Sequence, residues 1–239
     1  MLFRSTDWSV IARFKLAPQS LGINDEVSAL AWTTTPWTLP GNMLLAINPQ
    51  ATYVLVDCQS ETGREKVILA QQRLEVLAPF KYQIIKEIID KDLLNINYQP
   101  LMPYFAHTSK AFRIVAGDFV TLSEGTGIVH VAPAYGEDDY QLGKQQGLEI
   151  IHHVDLTGKI IDQVVDFAGM EVRDPADPSQ IDVAIIKYLA KNQQLFAKAK
   201  IKHSYPHCWR CDHALLNYAT SSLDRKSTRL NSSHQPLSR

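Results

Sequence analysis

Short apolar runs, broken by Pro, Gly and Asn, recur along the chain far more often than long amphipathic stretches. Runs rich in Val, Ile, Leu and Thr predict strands over 27–33, 43–47, 53–57, 66–69, 112–115 and 127–132. Weaker strand character returns at 159–164 and 199–203. Helical spacing is rarer. Residues 71–77 predict a short helix, and 137–146 a longer one, with Glu137, Asp138 and Asp139 where a first turn favours negative charge. Over 180–195, Ile181, Ala184, Ile185, Tyr188 and Leu189 recur at helical spacing, after entry punctuation at Asp174-Pro175 and Asp177-Pro178. There is no internal repeat. The pattern predicts a β-rich α/β domain on a closed or nearly closed, barrel-like sheet with peripheral helices.

Composition narrows the class. With 45% hydrophobic and 21% charged residues, 239 residues suffice for one sizeable globular domain. No apolar run approaches the roughly 18 residues of a membrane helix. The start, MLFRSTD, lacks a signal peptide's apolar core, so a cytoplasmic setting is expected. Three cysteines are too few for a disulfide scaffold.

Charge is uneven. The last stretch, RKSTRLNSSHQPLSR over 225–239, has only Leu230 and Leu237 as large apolar residues and cannot bury a core. It reads as a disordered, non-native tail, taken as 223–239, behind a domain of residues 1–222. Arg225, Lys226, Arg229 and Arg239 stand there against Asp224. Of 24 basic and 25 acidic residues, that leaves 20 basic against 24 acidic for the body. A body of that sign is not an obvious stand-alone nucleic-acid binder.

Two strings carry candidate chemistry. Residues 32–40 read WTTTPWTLP, with Thr33, Thr34, Thr35 and Thr38 within six positions. Pro36 and Pro40 stop regular pairing there. Packed together, the hydroxyls could line a small polar pocket and hold a water. A strand running into a Pro-bounded turn would also explain them. Residues 125–140 read GTGIVHVAPAYGEDDY. Gly125 and Gly127 flank Thr126 and allow a close backbone approach. His130 sits among Ile128, Val129 and Val131, where a core histidine is the plainer reading. The three acids could simply complement a helix dipole.

Taken whole, the first string resembles the threonine-rich peptide in the editing insertion of class I aminoacyl-tRNA synthetases for isoleucine, valine and leucine. The valine and leucine branches typically carry Arg after the threonines. Thr35 stands there, so the isoleucine branch is favoured. The second string resembles the second signature of the same insertion. Further similarity runs through Val154-Asp155, Phe167-Ala168-Gly169 and HSYPHCWR over 203–210, so the resemblance covers most of 8–222.

The resemblance implies roles. Asp139 would bind the α-ammonium of a misattached amino acid through a charge-assisted bond. His130 would line the amino-acid pocket and help exclude isoleucine. Thr33, Thr34, Thr35 and Thr38 would form the wall near the scissile ester and its water, and Trp37 would shape the pocket. Gly125, Thr126 and Gly127 would lie near the terminal adenosine. The implied activity is hydrolysis of Val-tRNA(Ile) by a positioned water. The implied partners are the 3′ end of tRNA(Ile) and the rest of a synthetase chain. No nucleophile elbow is discernible, so a Ser/His/Asp triad is not expected. A non-catalytic tRNA-binding module and a valyl or leucyl editing domain remain the alternatives.

Cys208 and Cys211 form a CxxC pair beside His207. A structural zinc needs four ligands, and Cys58, the remaining thiol, lies in a strand-like run. In relatives the pair is completed by another CxxC lying before the point where this chain starts. A zinc half-site is therefore expected, with 203–222 leading into a zinc ribbon and back to a catalytic core. Editing itself needs no cofactor. The ATP-binding motifs of that core, and with them ATP and Mg, are absent from this sequence, so ligation is not expected of it.

Overall fold

The computed structural model describes residues 2–61, 63–174, 176–206, 208–210 and 215–220. Cys211, His207 and the tail assigned to 223–239 lie outside the described residues.

Among the described residues nine strands form one sheet. They are β1 (Leu2–Lys15), β2 (Val27–Thr33), β3 (Leu44–Ile47), β4 (Tyr53–Ser60), β5 (Gly63–Ala70), β6 (Lys81–Ile88), β7 (Arg113–Ala116), β8 (Ile128–Val131) and β9 (Leu195–Pro206). The main path runs β6-β4-β5-β2-β8-β3-β7, while β1 pairs with β2 and carries β9. Three α-helices accompany them: α1 (Asp90–Leu93), α2 (Glu137–Gln145) and α3 (Gln180–Lys191).

The sheet forks at β2. One edge of this strand is taken by β1, from Val10↔Thr33 to Lys15↔Ser28. The other edge is shared between β5, over Val27–Ala29, and β8, at Trp32↔Val129, both parallel to it. A fork needs close backbone approach, and glycines supply it. Gly127 has φ +74°, and a Cβ there would stand 2.4 Å from Ala70 Cβ; at Gly125, φ +70°, it would stand 2.7 Å from the Trp32 ring. The Ala70 N–H donates to the Thr126 carbonyl at 2.9 Å, across the crotch.

Of the closed or nearly closed sheet expected, full closure is not found: hydrogen bonds do not close the sheet among the described strands. Among the described strands β6 pairs only with β4, and β7 only with β3. The fork divides the sheet into the arms β5-β4-β6 and β8-β3-β7. Nearly all of β6 is exposed, including Tyr82, Ile84 and Ile85. That two-sided exposure explains why its sequence lacks the alternation of a half-buried strand. β1 also goes unpredicted from the sequence: Trp8, Val10, Ala12 and Phe14 fall on alternate positions of its second half, but Ile11 interrupts the polar positions between them.

Central strands are covered on both faces. In β2, Ala29 and Ala31 face the main core and Leu30 the smaller one, with Val54, Val56, Val67 and Leu69. Each large side chain buried there contributes about 1.5–3 kcal/mol. The predicted helix at 71–77 is a kinked 3-10 turn, non-helical at Arg73. Helix α3 stops at Lys191, four residues short of the expected end, because Gln193 takes φ 58° and the chain turns back into β9. Residues 159–164 form only isolated bridges, Val154↔Ile160 and Lys159↔Glu171.

Candidate functional site

Parallel strands β2 and β8 end side by side. Thr33 and His130 each follow the Trp32↔Val129 pair by one residue, so their side chains share a face at the carboxyl ends of both strands. Crevices at such ends are common ligand sites in α/β sheets. After Thr33 the chain enters a 3-10 turn, Pro36–Gly41, buried throughout and opened by a proline.

This turn folds the threonines together. Thr33 Oγ1 lies 3.3 Å from Thr35 Oγ1, which lies 3.4 Å from Thr38 Oγ1. Thr38 Oγ1 donates to the Thr35 carbonyl at 2.8 Å and lies 2.8 Å from His130 Nε2. A carbonyl only accepts, so Thr38 has spent its one proton, and His130 Nε2 must be the donor to it. Burial, with His153 as a weaker influence, pulls His130 down to about 4, which keeps the ring neutral near pH 7. Its Nδ1 is then a buried acceptor without a partner among the described residues.

The same accounting fixes the rest. Thr38 accepts from Thr35, and Thr35 accepts from Thr33. Thr33 also accepts the Thr35 N–H at 3.1 Å. Every hydroxyl proton of Thr33, Thr35 and Thr38 is committed inward. What remains outward is one lone pair each on Thr33 and Thr35. The cluster therefore presents acceptors to whatever it binds. Among the described residues the Thr34 hydroxyl takes no part in these bonds.

Trp37 lies beneath, 2% exposed, with Tyr135 edge-on at 5.1 Å. Both polar groups of its backbone are held from afar: the N–H donates to Asp182 Oδ1 at 3.1 Å, and the carbonyl accepts from His153 Nε2 at 2.9 Å. His153 fits because residue 41 is glycine; a Cβ there would stand 2.5 Å from His153 Nδ1.

Asp139 is in the first turn of α2, half-buried, and folds back so that Oδ2 accepts the Ala132 N–H at 2.8 Å. Gly136 makes room, since a Cβ there would stand 3.1 Å from Asp139 Cγ. Burial pushes this carboxyl up to about 6, against the pull of the Ala132 N–H. Outside the first turn of α2 runs a groove of about 400 Å³, lined by Gly136, Glu137, Tyr140 and residues 217–220. The threonines do not line it.

Thus Thr33, Thr35, Thr38, Trp37 and His130 come together, and Asp139 reaches the strand end two residues beyond His130. Gly125, Thr126 and Gly127 lie at the opposite end of β8. There Thr126, 1% exposed, donates to the Ile128 carbonyl. The two glycines already have a packing reason in the fork. Cys208 is half-buried and Cys58 is fully buried, its thiol pushed up to about 11 by burial. Among the described residues no group of three or more His, Cys, Asp or Glu could hold a metal. No helix among them is long and apolar enough to cross a membrane.

Comparison with known proteins settles the relationship. The chain is 48% identical over 193 residues to the isoleucine–tRNA ligase of Clostridium tetani, a match covering 81% of this chain and 18% of the relative. It is 42% identical over 213 residues to that of Thermoplasma acidophilum, covering 89% of this chain and 19% of the relative. This chain is a region of the isoleucine-tRNA ligase family. It spans about 18% of the length of the Clostridium ligase. No family model matches it. The fold of this ligase region is that of synthetase editing domains. It superposes on the P. falciparum cytosolic leucyl-tRNA synthetase editing domain with a TM-score of 0.56 at 12% identity, covering 81% of this chain and 99% of that one. For GlLeuRS-CP1 the TM-score is 0.57 at 16% identity, covering 84% and 100%.

Within this ligase region the threonines and the GEDDY acids were legible as contiguous strings. Asp182 and His153 were not, because they reach Trp37 across 145 and 116 residues of sequence. The signal for Asp182 was an acid on the apolar face of α3, among Ile181, Ile185, Ile186 and Leu189.

Proposed function

We propose that this region edits mischarged tRNA by hydrolysing the ester that joins valine to the 3′ end of tRNA(Ile). The observation that carries the reading is the acceptor-only surface of Thr33, Thr35 and Thr38 at the joint end of β2 and β8, with a carboxylate in the first turn of α2 bound to the end of β8. A water donating its hydrogens to the free lone pairs of Thr33 and Thr35 would turn its own lone pair away from the wall, toward an ester held there. Attack would form a new bond from the water oxygen to the acyl carbon and break the ester bond to the terminal ribose, the water's proton passing to the departing ribose oxygen and not to the protein. Orientation would then supply most of the acceleration.

Asp139 would anchor the α-ammonium and is not assigned as a general base. His130, neutral and held by Thr38, would cap the pocket against one more methylene. Such a group is worth only about 1–3 kcal/mol in a binding pocket, a margin for which isoleucine against valine is itself the standard illustration. A second, hydrolytic sieve is the remedy for so small a margin. Thr34 would contribute to the wall, and Gly125, Thr126 and Gly127 to the approach of the terminal adenosine. The reading assigns hydrolysis no cofactor. Structural zinc would fall to Cys208, Cys211 and ligands elsewhere in a longer chain, and the setting would be cytoplasmic.

The deciding assay is deacylation of Val-tRNA(Ile) beside Ile-tRNA(Ile). Selective loss of valine is expected. Tight binding of both without hydrolysis would instead favour a non-catalytic tRNA-binding role.

A further inference from the structure

The 3-10 turn that carries the threonine cluster is held by side chains outside both sequence strings. Trp37 is the residue before Thr38, and its N–H and carbonyl are taken by Asp182 on α3 and His153 on the loop after α2. Asp182 is 1% exposed, a costly place for a carboxylate. Among the described residues only one of its oxygens makes a hydrogen bond, the one on Trp37 N–H; Oδ2 has none there. Arg173 stands 4.0 Å from Oδ2 and 3.2 Å from Asp7 on β1. Helix α3 could cover the turn with an apolar residue at lower cost. The one directional job that Asp182 performs is to fix the peptide leading into Thr38.

We propose that Asp182 is a positioning residue for the threonine site: by holding the Trp37 N–H it keeps Thr38 Oγ1 against His130 and so sets the acceptor surface that faces the ester. This rests on the editing reading above. Movement of the turn by a few tenths of an ångström would lengthen contacts between Thr33, Thr35 and Thr38 that already span 3.3 and 3.4 Å. The hydroxyl protons would then be free to turn outward. Substrate anchoring by Asp139 would be left as it is, so turnover should suffer and affinity should not.

The test uses a full-length isoleucine-tRNA ligase carrying this region, with Asp182→Ala and Asp182→Asn. Asparagine keeps an oxygen that can accept the Trp37 N–H. For Val-tRNA(Ile) deacylation, Asp182→Ala should lower kcat by about tenfold or more with KM nearly unchanged, since it removes the buried hydrogen bond that holds the turn. Asp182→Asn should recover most of that loss. Isoleucylation should be unchanged in both, which shows that the rest of the ligase is intact. Amide exchange over residues 32–43 should quicken in the alanine variant and not in the asparagine variant. Wild-type deacylation kinetics in Asp182→Ala, or equal losses in the two variants, would overturn the proposal. If the unsubstituted ligase does not deacylate Val-tRNA(Ile), the editing reading fails instead. The exchange comparison then still decides whether Asp182 holds the turn.

Discussion

At the scale of single residues, the direction of each hydroxyl proton decides what the site can do. Thr38 is the sink of the chain of hydroxyls and the acceptor for His130. Thr38→Val keeps the volume but leaves the His130 N–H and the Thr35 hydroxyl without their acceptor, while the Thr35 carbonyl keeps the Thr38 N–H at 3.0 Å. A destabilisation of about 1–3 kcal/mol is expected for the buried groups left unpaired. Denaturant midpoints of the variant would measure it, and a shift below a few tenths of a kcal/mol would show that these bonds are not made. Asp139 yields a pH prediction. Its carboxyl, raised to about 6, must be ionised to hold an ammonium group. Deacylation kcat/KM should therefore fall as pH drops through about 6, and a profile flat from pH 7 to 5 would remove Asp139 from that role. The residues of the two strings could be read because they adjoin in sequence. The proton directions could not, since they depend on a histidine 92 residues from Thr38.

Among the elements, the fork at β2 governs how the two arms meet. Gly127→Ala would force a left-handed backbone on alanine, at about 1–2 kcal/mol, and press its methyl into Ala70. A fall in thermal midpoint is expected, larger than for Gly158→Ala, where a Cβ would meet nothing within 4 Å despite φ +84°. Equal losses for the two variants would mean that backbone strain alone matters and the fork is not tight. The strand and helix pattern of the central arms was legible because β2, β4 and β5 carry nearly unbroken apolar runs. The edges were not. β6 is wetted on both faces, and the fork rests on backbone pairing that no periodicity records.

For the molecule as a whole, one buried acid couples stability to pH. Burial raises the Asp182 carboxyl from 3.8 to about 7, opposed by the pull of Arg173 and by the Trp37 N–H, with Asp7 adding to the rise. The folded state therefore binds this proton more readily than the unfolded chain. Its contribution is fully present below about 3.8 and is lost as pH rises through about 7. Between those values the slope is at most about 1.4 kcal/mol per pH unit. Unfolding of wild type and Asp182→Asn at pH 5.5 and 8 should show the wild type losing more stability on the alkaline side. Parallel curves would count against a shifted carboxyl.

Residues 2–9 of β1 pair with β9 alone, from Leu2↔Pro206 to Ser9↔Ala199. The two segments thus run as one two-stranded stalk, with partner Cα atoms about 5 Å apart. Seen from the far end of that stalk, some two hundred residues fill a gap hardly wider than a single peptide unit.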